Sequence, residues 1–188
     1  MKDFYTMKSR EEGYYARSVY KLKQINKKYN LIRKRDKVLD LGCSPGGWVQ
    51  ASLEIVGNKG SVTGIDISPI RKIKAKNFKF IKSDIQEAKI EGNFDVVLSD
   101  MAPKTTGVQE LDQERSYDLA KRALTTAKKH LNEGGNFLCK IFQGPKYQEF
   151  ISEVKKSFEF VKTVKPEASK RESKEMYVIG KCMKSKKE

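Results

Sequence analysis

Residues 37–48, KVLDLGCSPGGW, constrain the fold more than any other stretch of the chain. A short apolar run (Val38, Leu39 and Leu41, with Asp40 among them) breaks into the loop Gly42-Cys43-Ser44-Pro45-Gly46-Gly47, and Trp48 then opens a helical pattern. Strand, tight loop and helix in that order bring backbone N–H groups and a helix N-terminus against a ligand. The glycine spacing differs from the GxGxxG of dinucleotide-binding folds. A plain strand-to-helix turn is the competing reading, and the rest of the chain has to decide between them.

Short β-type runs alternate with helical patterns, which argues for βαβ units and a parallel sheet. Strands are predicted at 38–41, 61–66, 78–82, 94–99, 136–141, 160–165 and 176–181. The clearest helix covers 113–130, where Tyr117, Ala120, Leu124, Ala127 and Leu131 share a face. A second covers 146–157. A third precedes the first strand, with Val19, Leu22, Ile25 and Tyr29 on one side. Residues 68–77 are too few for a regular helix. No helical pattern separates the last two strands, and their connection PEASKRESKE is polar and basic, so one antiparallel edge strand is expected. A chain of 188 residues reads as one domain, with residues 1–16 as a mobile basic arm and 183–188 as a basic tail.

Composition narrows the chemistry. Lys and Arg number 39 against 24 Asp and Glu, a net charge of +15 that suits a polyanionic partner bound in a salt-sensitive way. No segment approaches the ~20 apolar residues of a membrane span, and the N-terminus lacks the apolar core of a signal peptide. Cys43, Cys139 and Cys182 are far apart, odd in number and outside any CxxC pattern, so they read as free thiols in a reducing, cytoplasmic compartment. The single histidine, His130, rules against a Ser-His-Asp hydrolase and a multi-histidine metal site. No metal is expected. Any general base must then be Lys, Asp, Glu or Tyr.

Three acids close predicted strands: Asp66 after SVTGI, Asp84 after FKFIKS and Asp100 after FDVVLS. One such aspartate alone is more often a helix cap or turn residue. Three of them emerge on the same sheet edge as the glycine loop, where ribose hydroxyls and amino groups are bound in such folds. Lys140 lies within the mostly apolar strand NFLCKIFQG, so it either snorkels to the strand tip or is partly buried. Lys21 and Glu175 carry no signal in isolation.

Taken together, SVYKL (18–22), DLGCSPGGW (40–48), SDMAP (99–103), KIFQG (140–144) and SKEMY (173–177) resemble the FtsJ/RrmJ family of RNA ribose 2′-O-methyltransferases. The resemblance spans nearly the whole chain in order. It implies a Rossmann-like class I fold of the S-adenosylmethionine-dependent methyltransferases, with a seven-stranded mostly parallel sheet and one antiparallel strand. It places a catalytic set on Lys21, Asp100, Lys140 and Glu175. It places cofactor contacts on Gly42, Pro45, Gly46, Gly47, Trp48, Asp66, Asp84 and Asp100, with S-adenosylmethionine as the cofactor. The implied substrate is a uridine of large-subunit ribosomal RNA, free or within the subunit, and the protein is expected to be a monomer. A tRNA anticodon loop, or a non-catalytic role in ribosome assembly, is the alternative. Cys43-Ser44 stand where the ribosomal branch of the family has two alanines, and Lys104-Thr105-Thr106 where it has Asn-Met-Ser.

The resemblance implies that Lys140 is a general base or orients the ribose hydroxyl, with Asp100 and Lys21 tuning it and Glu175 holding the ribose or the lysines. A neighbouring ammonium and partial burial favour the neutral amine that such a base requires. RNA phosphates are expected to meet the arm (Lys2, Lys8, Arg10, Arg17) and the loop Lys170, Arg171, Lys174. Tyr14 or Tyr15 is expected either to stack on an unpaired base or to pack the arm locally. Other methyltransferases fit less well. The residues after the fourth strand are Asp100-Met101-Ala102-Pro103 rather than the proline pair and aromatic of nitrogen-directed enzymes, and no cysteine follows a proline as in cytosine-C5 enzymes.

Overall fold

The computed structural model describes residues 4–170 and 172–185. Seven strands form one sheet: β1 (Lys37–Leu41), β2 (Ser61–Asp66), β3 (Phe78–Lys82), β4 (Phe94–Ser99), β5 (Leu131–Phe142), β6 (Phe158–Val164) and β7 (Glu175–Met183). Their order is β3-β2-β1-β4-β5-β7-β6. Neighbouring strands from β3 to β5 run parallel, and β7 pairs antiparallel with both β5 and β6.

The helices α1 (Phe4–Glu11), α2 (Val19–Tyr29), α3 (Gly47–Val56), α4 (Gln109–His130) and α5 (Tyr147–Ser157) account for the rest of the regular structure among the described residues. Alternation along each strand sends one set of side chains to either face. Val38, Val62, Val96, Leu98, Leu138 and Ile179 meet the apolar sides of α2 and α3. Leu39, Leu41, Val97, Phe137, Cys139 and Val178 meet α4 and α5. Helix α4 carries Glu110 and Asp112 in its first turn and Lys128, Lys129 and His130 in its last, both favourable to the helix dipole.

Three expectations need correction. The antiparallel strand is not at the edge. Residues Tyr177–Gly180 of β7 are buried in succession, as an interior strand requires, whereas β6 leaves much of its length exposed and forms the border. Residues 4–11 are not a mobile arm: Tyr5 packs on Tyr20 of α2, and Glu12 accepts a hydrogen bond from the Tyr20 hydroxyl. Helix α4 begins four residues before position 113, and Asp112 in its first turn accepts from the backbone N–H and hydroxyl of Thr106 in the preceding loop. As expected, no helix forms between β2 and β3.

The close fit between β7 and β6 gives a direct test. A Cβ on Gly180 would lie 2.6 Å from the ring of Phe158, which stacks on Phe137 in the core. Gly180→Ala is expected to cost about 1–3 kcal/mol through overpacking, read as a lower urea midpoint at unchanged slope.

Candidate active site

In this strand order the chain departs leftward from β1 to β2 and resumes rightward at β4, so a crevice opens beyond the carboxyl ends of β1 and β4. The glycine loop and the SDMAP segment meet there. Gly42 has φ 75°, and a Cβ on it would fall 2.5 Å from the Met101 side chain. Only glycine allows both the turn and the contact. A cleft of about 420 Å³ follows, with Gly42, Asp66, Asp84, Asp100, Met101 and Lys104 among its walls. Asp66 is oriented by the backbone N–H groups of Ser44 (2.9 Å) and Ser68 (2.7 Å), and Asp84 by that of Gln86 (2.9 Å). The capping role of a strand-end acid and its place in the cleft therefore coexist.

Not every predicted cofactor residue lines this cleft. Pro45, Gly46, Gly47 and Trp48 continue the loop beside it, with Gly46 and Gly47 against the N-terminal segment. The Tyr15 ring would be 3.1 Å from a Cβ on Gly46, and Ala16 would be 3.2 Å from one on Gly47. Trp48 is a core residue: its indole packs on Tyr177 and donates to the Ser18 carbonyl at 2.8 Å, tying α3 to the start of α2. Gly46, Gly47 and Trp48 are thus also packed from behind, by the segment that leads into α2.

Beside the cleft stand two ion pairs. The Lys140 ammonium donates to the Asp100 carbonyl (2.6 Å) and lies 3.0 Å from Asp100 Oδ1. Lys21, from α2, pairs with Glu175 at the start of β7. The two pairs are joined by Tyr177, which the sequence reading left without a role. Tyr177 sits opposite Lys140 in the β5–β7 register, and its hydroxyl donates to Asp100 Oδ1 at 2.8 Å. The Lys21 ammonium lies 5.8 Å from the centre of the same ring. Burial, then the Asp100 and Glu175 carboxylates, push the Tyr177 phenol well above its usual range, so it remains a donor. The four residues expected as a set are thus brought together, with a fifth between them.

The predicted RNA contacts are scattered. Lys8 and Arg10 lie on α1, Lys170 and Lys174 are exposed on the β6–β7 connection, and Arg17 reaches across to the Ala168 carbonyl. Lys2 and Arg171 lie outside the described residues. Tyr14 and Tyr15 are engaged internally, Tyr14 with Glu54 and Lys23, and Tyr15 with the Lys72 carbonyl.

Asp40 supplies the test of what the cleft is built to hold. It is fully buried, neither carboxylate oxygen has a hydrogen-bond partner among the described residues, and desolvation, then the Asp100 and Asp66 charges, push its carboxyl well above the usual range. A cleft walled by Asp66, Asp84 and Asp100, with a fourth acid buried behind it, favours a cationic ligand that also carries hydroxyls. S-adenosylmethionine, with its sulfonium, ammonium and ribose, fits that demand.

The fold and this site define a class I methyltransferase. A model of the FtsJ-like methyltransferase family matches residues 14–183, and the chain belongs to that family. It is 44% identical to the Ribosomal RNA large subunit methyltransferase E of Desulfatibacillum aliphaticivorans, over 95% of this chain and 89% of that protein. Among solved structures, a ribosomal RNA methyltransferase of Plasmodium falciparum superposes with a TM-score of 0.82 at 27% identity, covering 92% of this chain and all of that one. Fibrillarin of Aeropyrum pernix, solved with bound S-adenosyl-L-methionine, shares the fold at a TM-score of 0.58 and 15% identity, over 80% of this chain and 68% of its own. The protein is a methyltransferase and its cofactor is S-adenosylmethionine.

Asp40 makes a pH-dependent prediction. Its raised pKa means that the folded state prefers the protonated form. Above the ordinary value of 3.8, stability contributed by this group is lost as pH rises, until the folded-state value is passed. Asp40→Asn mimics the neutral acid. The cofactor-free variant is expected to unfold at a higher temperature than wild type at pH 8, the difference shrinking as pH falls toward 4, while calorimetry finds weaker binding of S-adenosylmethionine.

Proposed function

We propose that the protein transfers the methyl group of S-adenosylmethionine to a ribose 2′-hydroxyl of ribosomal RNA, a uridine of the large subunit in particular. The observation that carries this reading is the Lys140 ammonium, only 8% exposed, clamped by two oxygens of Asp100 at the edge of the cofactor cleft. The relatives named as large-subunit ribosomal RNA methyltransferases support the substrate. The net charge of +15 suits an RNA partner.

When bound, the cofactor supplies an electrophilic methyl on a cationic sulfur. The chain has to present an oxygen to it in line and remove a proton from that oxygen. Asp100 fixes two directions around Lys140 Nζ and leaves the third for the 2′-oxygen. In its amine form Lys140 takes the hydroxyl proton through that third position: an O–H bond breaks and an N–H bond forms. The resulting ammonium is then held by the same two Asp100 oxygens. Tyr177 keeps Asp100 oriented, and the Lys21–Glu175 pair meets the ribose from the other side. Proximity in this pocket supplies much of the rate.

The protein acts as a monomer in the cytoplasm on this reading, with one domain and no metal. No helix among the described residues is long and apolar enough to cross a membrane, and all three cysteines are free.

Lys140→Ala is expected to lower methyl transfer into RNA by at least about 100-fold, the usual worth of a positioned general base, with cofactor affinity retained. Tritium transfer and 2′-O-methyl mapping, on free transcripts and on isolated large subunits, read both activity and target. A near-normal rate would sink the assignment. For the RNA footprint, Lys8→Glu with Arg10→Glu should weaken RNA binding and reduce the slope of log affinity against log salt by about 2. An unchanged slope would remove α1 from the footprint.

A further inference from the structure

A second hollow, of about 260 Å³, opens between the tips of β5 and β7 and the first turn of α4. It begins where the lysine site ends. Phe142, in its wall, lies two residues beyond Lys140 and pairs in register with Glu175, and Lys174 directly precedes Glu175. Its volume is below the about 300–1,000 Å³ typical of cofactor-sized sites, and suits a single planar ring system. Cofactor binding and proton transfer, as described above, use none of its side chains.

The chemistry of the wall is specific. The Phe142 side chain is half-buried at the end of an otherwise buried strand. Gln113 donates its amide N–H to the Gln143 carbonyl at 2.6 Å, which leaves its own carbonyl oxygen as a fixed acceptor. Ser173 Oγ accepts from the Glu175 backbone N–H at 3.2 Å, so its hydroxyl proton is free to be donated. Asp112 is turned to Thr106, whose backbone N–H and hydroxyl both lie at 2.9 Å, and it holds the Gly107 loop over the hollow. Lys174 is exposed at the rim, the sign of charge a phosphodiester requires.

We propose that this hollow binds an unpaired nucleobase of the RNA strand whose ribose is presented to Lys140, by stacking on Phe142 with the base edge on Gln113 and Ser173. The proposal rests on the ribose-methylation reading for the direction of the strand. It follows from how single-stranded RNA is recognised: splayed bases stack on aromatic rings, and fixed amides and hydroxyls read their edges. An unpaired nucleotide is free to rotate, and that freedom works against bringing its ribose in line at Lys140. A base held within a few residues of Lys140 and Glu175 removes that freedom.

Phe142→Leu keeps apolar bulk and removes the ring. It should raise KM for RNA about fivefold or more, within the range of one lost base–aromatic stack. Affinity for S-adenosylmethionine should not change, and Phe142→Tyr should restore KM. A wild-type KM in Phe142→Leu, with the wild type active, overturns the proposal. An independent arm needs no turnover. Wild-type protein is irradiated with a large-subunit ribosomal RNA transcript carrying 4-thiouridine, and crosslinked peptides are sequenced. Crosslinks at 107–113, Phe142 or Ser173–Lys174 support the base site; crosslinks confined to other segments overturn it. If the wild type transfers no methyl to RNA, the ribose-methylation reading falls by itself, and the crosslinks still decide whether a base occupies the hollow.

Discussion

The carboxylate of Asp100 is the contact on which the active-site architecture depends. Its residue directly follows β4, its backbone N–H reaches the Leu41 carbonyl at the end of β1, and its side chain meets Lys140 of β5 and Tyr177 of β7. Four strands therefore converge on one residue, which also borders the cofactor cleft. A charge so placed is costly unless it is paired and hydrogen-bonded, and here it is both. Removing Lys140 or Tyr177 would strand a carboxylate within a crowded acidic neighbourhood that already contains Asp40 and Asp66. The same crowding that makes the cleft receptive to a cation makes each of the acid's partners structurally expensive to lose.

The double glycine of the loop has a second cause besides ligand approach. Tyr15 and Ala16 press on Gly46 and Gly47 so closely that larger side chains would displace the segment. Gln50 holds that segment from α3, accepting from the Tyr15 backbone N–H at 2.9 Å and donating to the Gly13 carbonyl at 3.1 Å. Tyr15 then reaches the Lys72 carbonyl on the far side of the loop, and the Arg71 guanidinium lies 5.5 Å from its ring. The segment that leads from basic α1 to α2 is thus a strap across the cofactor loop. Gly46 and Gly47 therefore answer to the segment behind the loop as well as to the cleft before it.

Much of this was legible because the signals were local. Strand periodicity, the glycine loop after β1 and acids at the ends of short apolar runs are patterns carried within a few residues, and all seven strands stand near their expected places. What escaped was set by pairing between distant segments. Tyr177 reads as one more apolar residue in MYVIG until β7 is placed beside β5, when it falls opposite Lys140. The partner of the Trp48 indole cannot be read until α2 is packed on α3, when it finds the Ser18 carbonyl. Asp40 sits in plain view within the first motif, but its lack of partners is a property of burial that no spacing reveals.

The inverted strand is the clearest case of topology acting on chemistry. In a parallel sheet every strand delivers its carboxyl end to the ligand edge, so a residue that begins a strand is carried to the opposite side. Because β7 runs against its neighbours, its first residues arrive at the same edge as the ends of β4 and β5. Glu175 lies opposite Phe142 and Tyr177 opposite Lys140. Slotting β7 between β5 and β6, rather than adding it at the border, also buries Tyr177 completely. At an edge position its phenol would be hydrated, and its hydrogen bond to Asp100 would compete with water. The reversal supplies a glutamate for Lys21, and the interior position turns a tyrosine into a dry, fixed donor for Asp100.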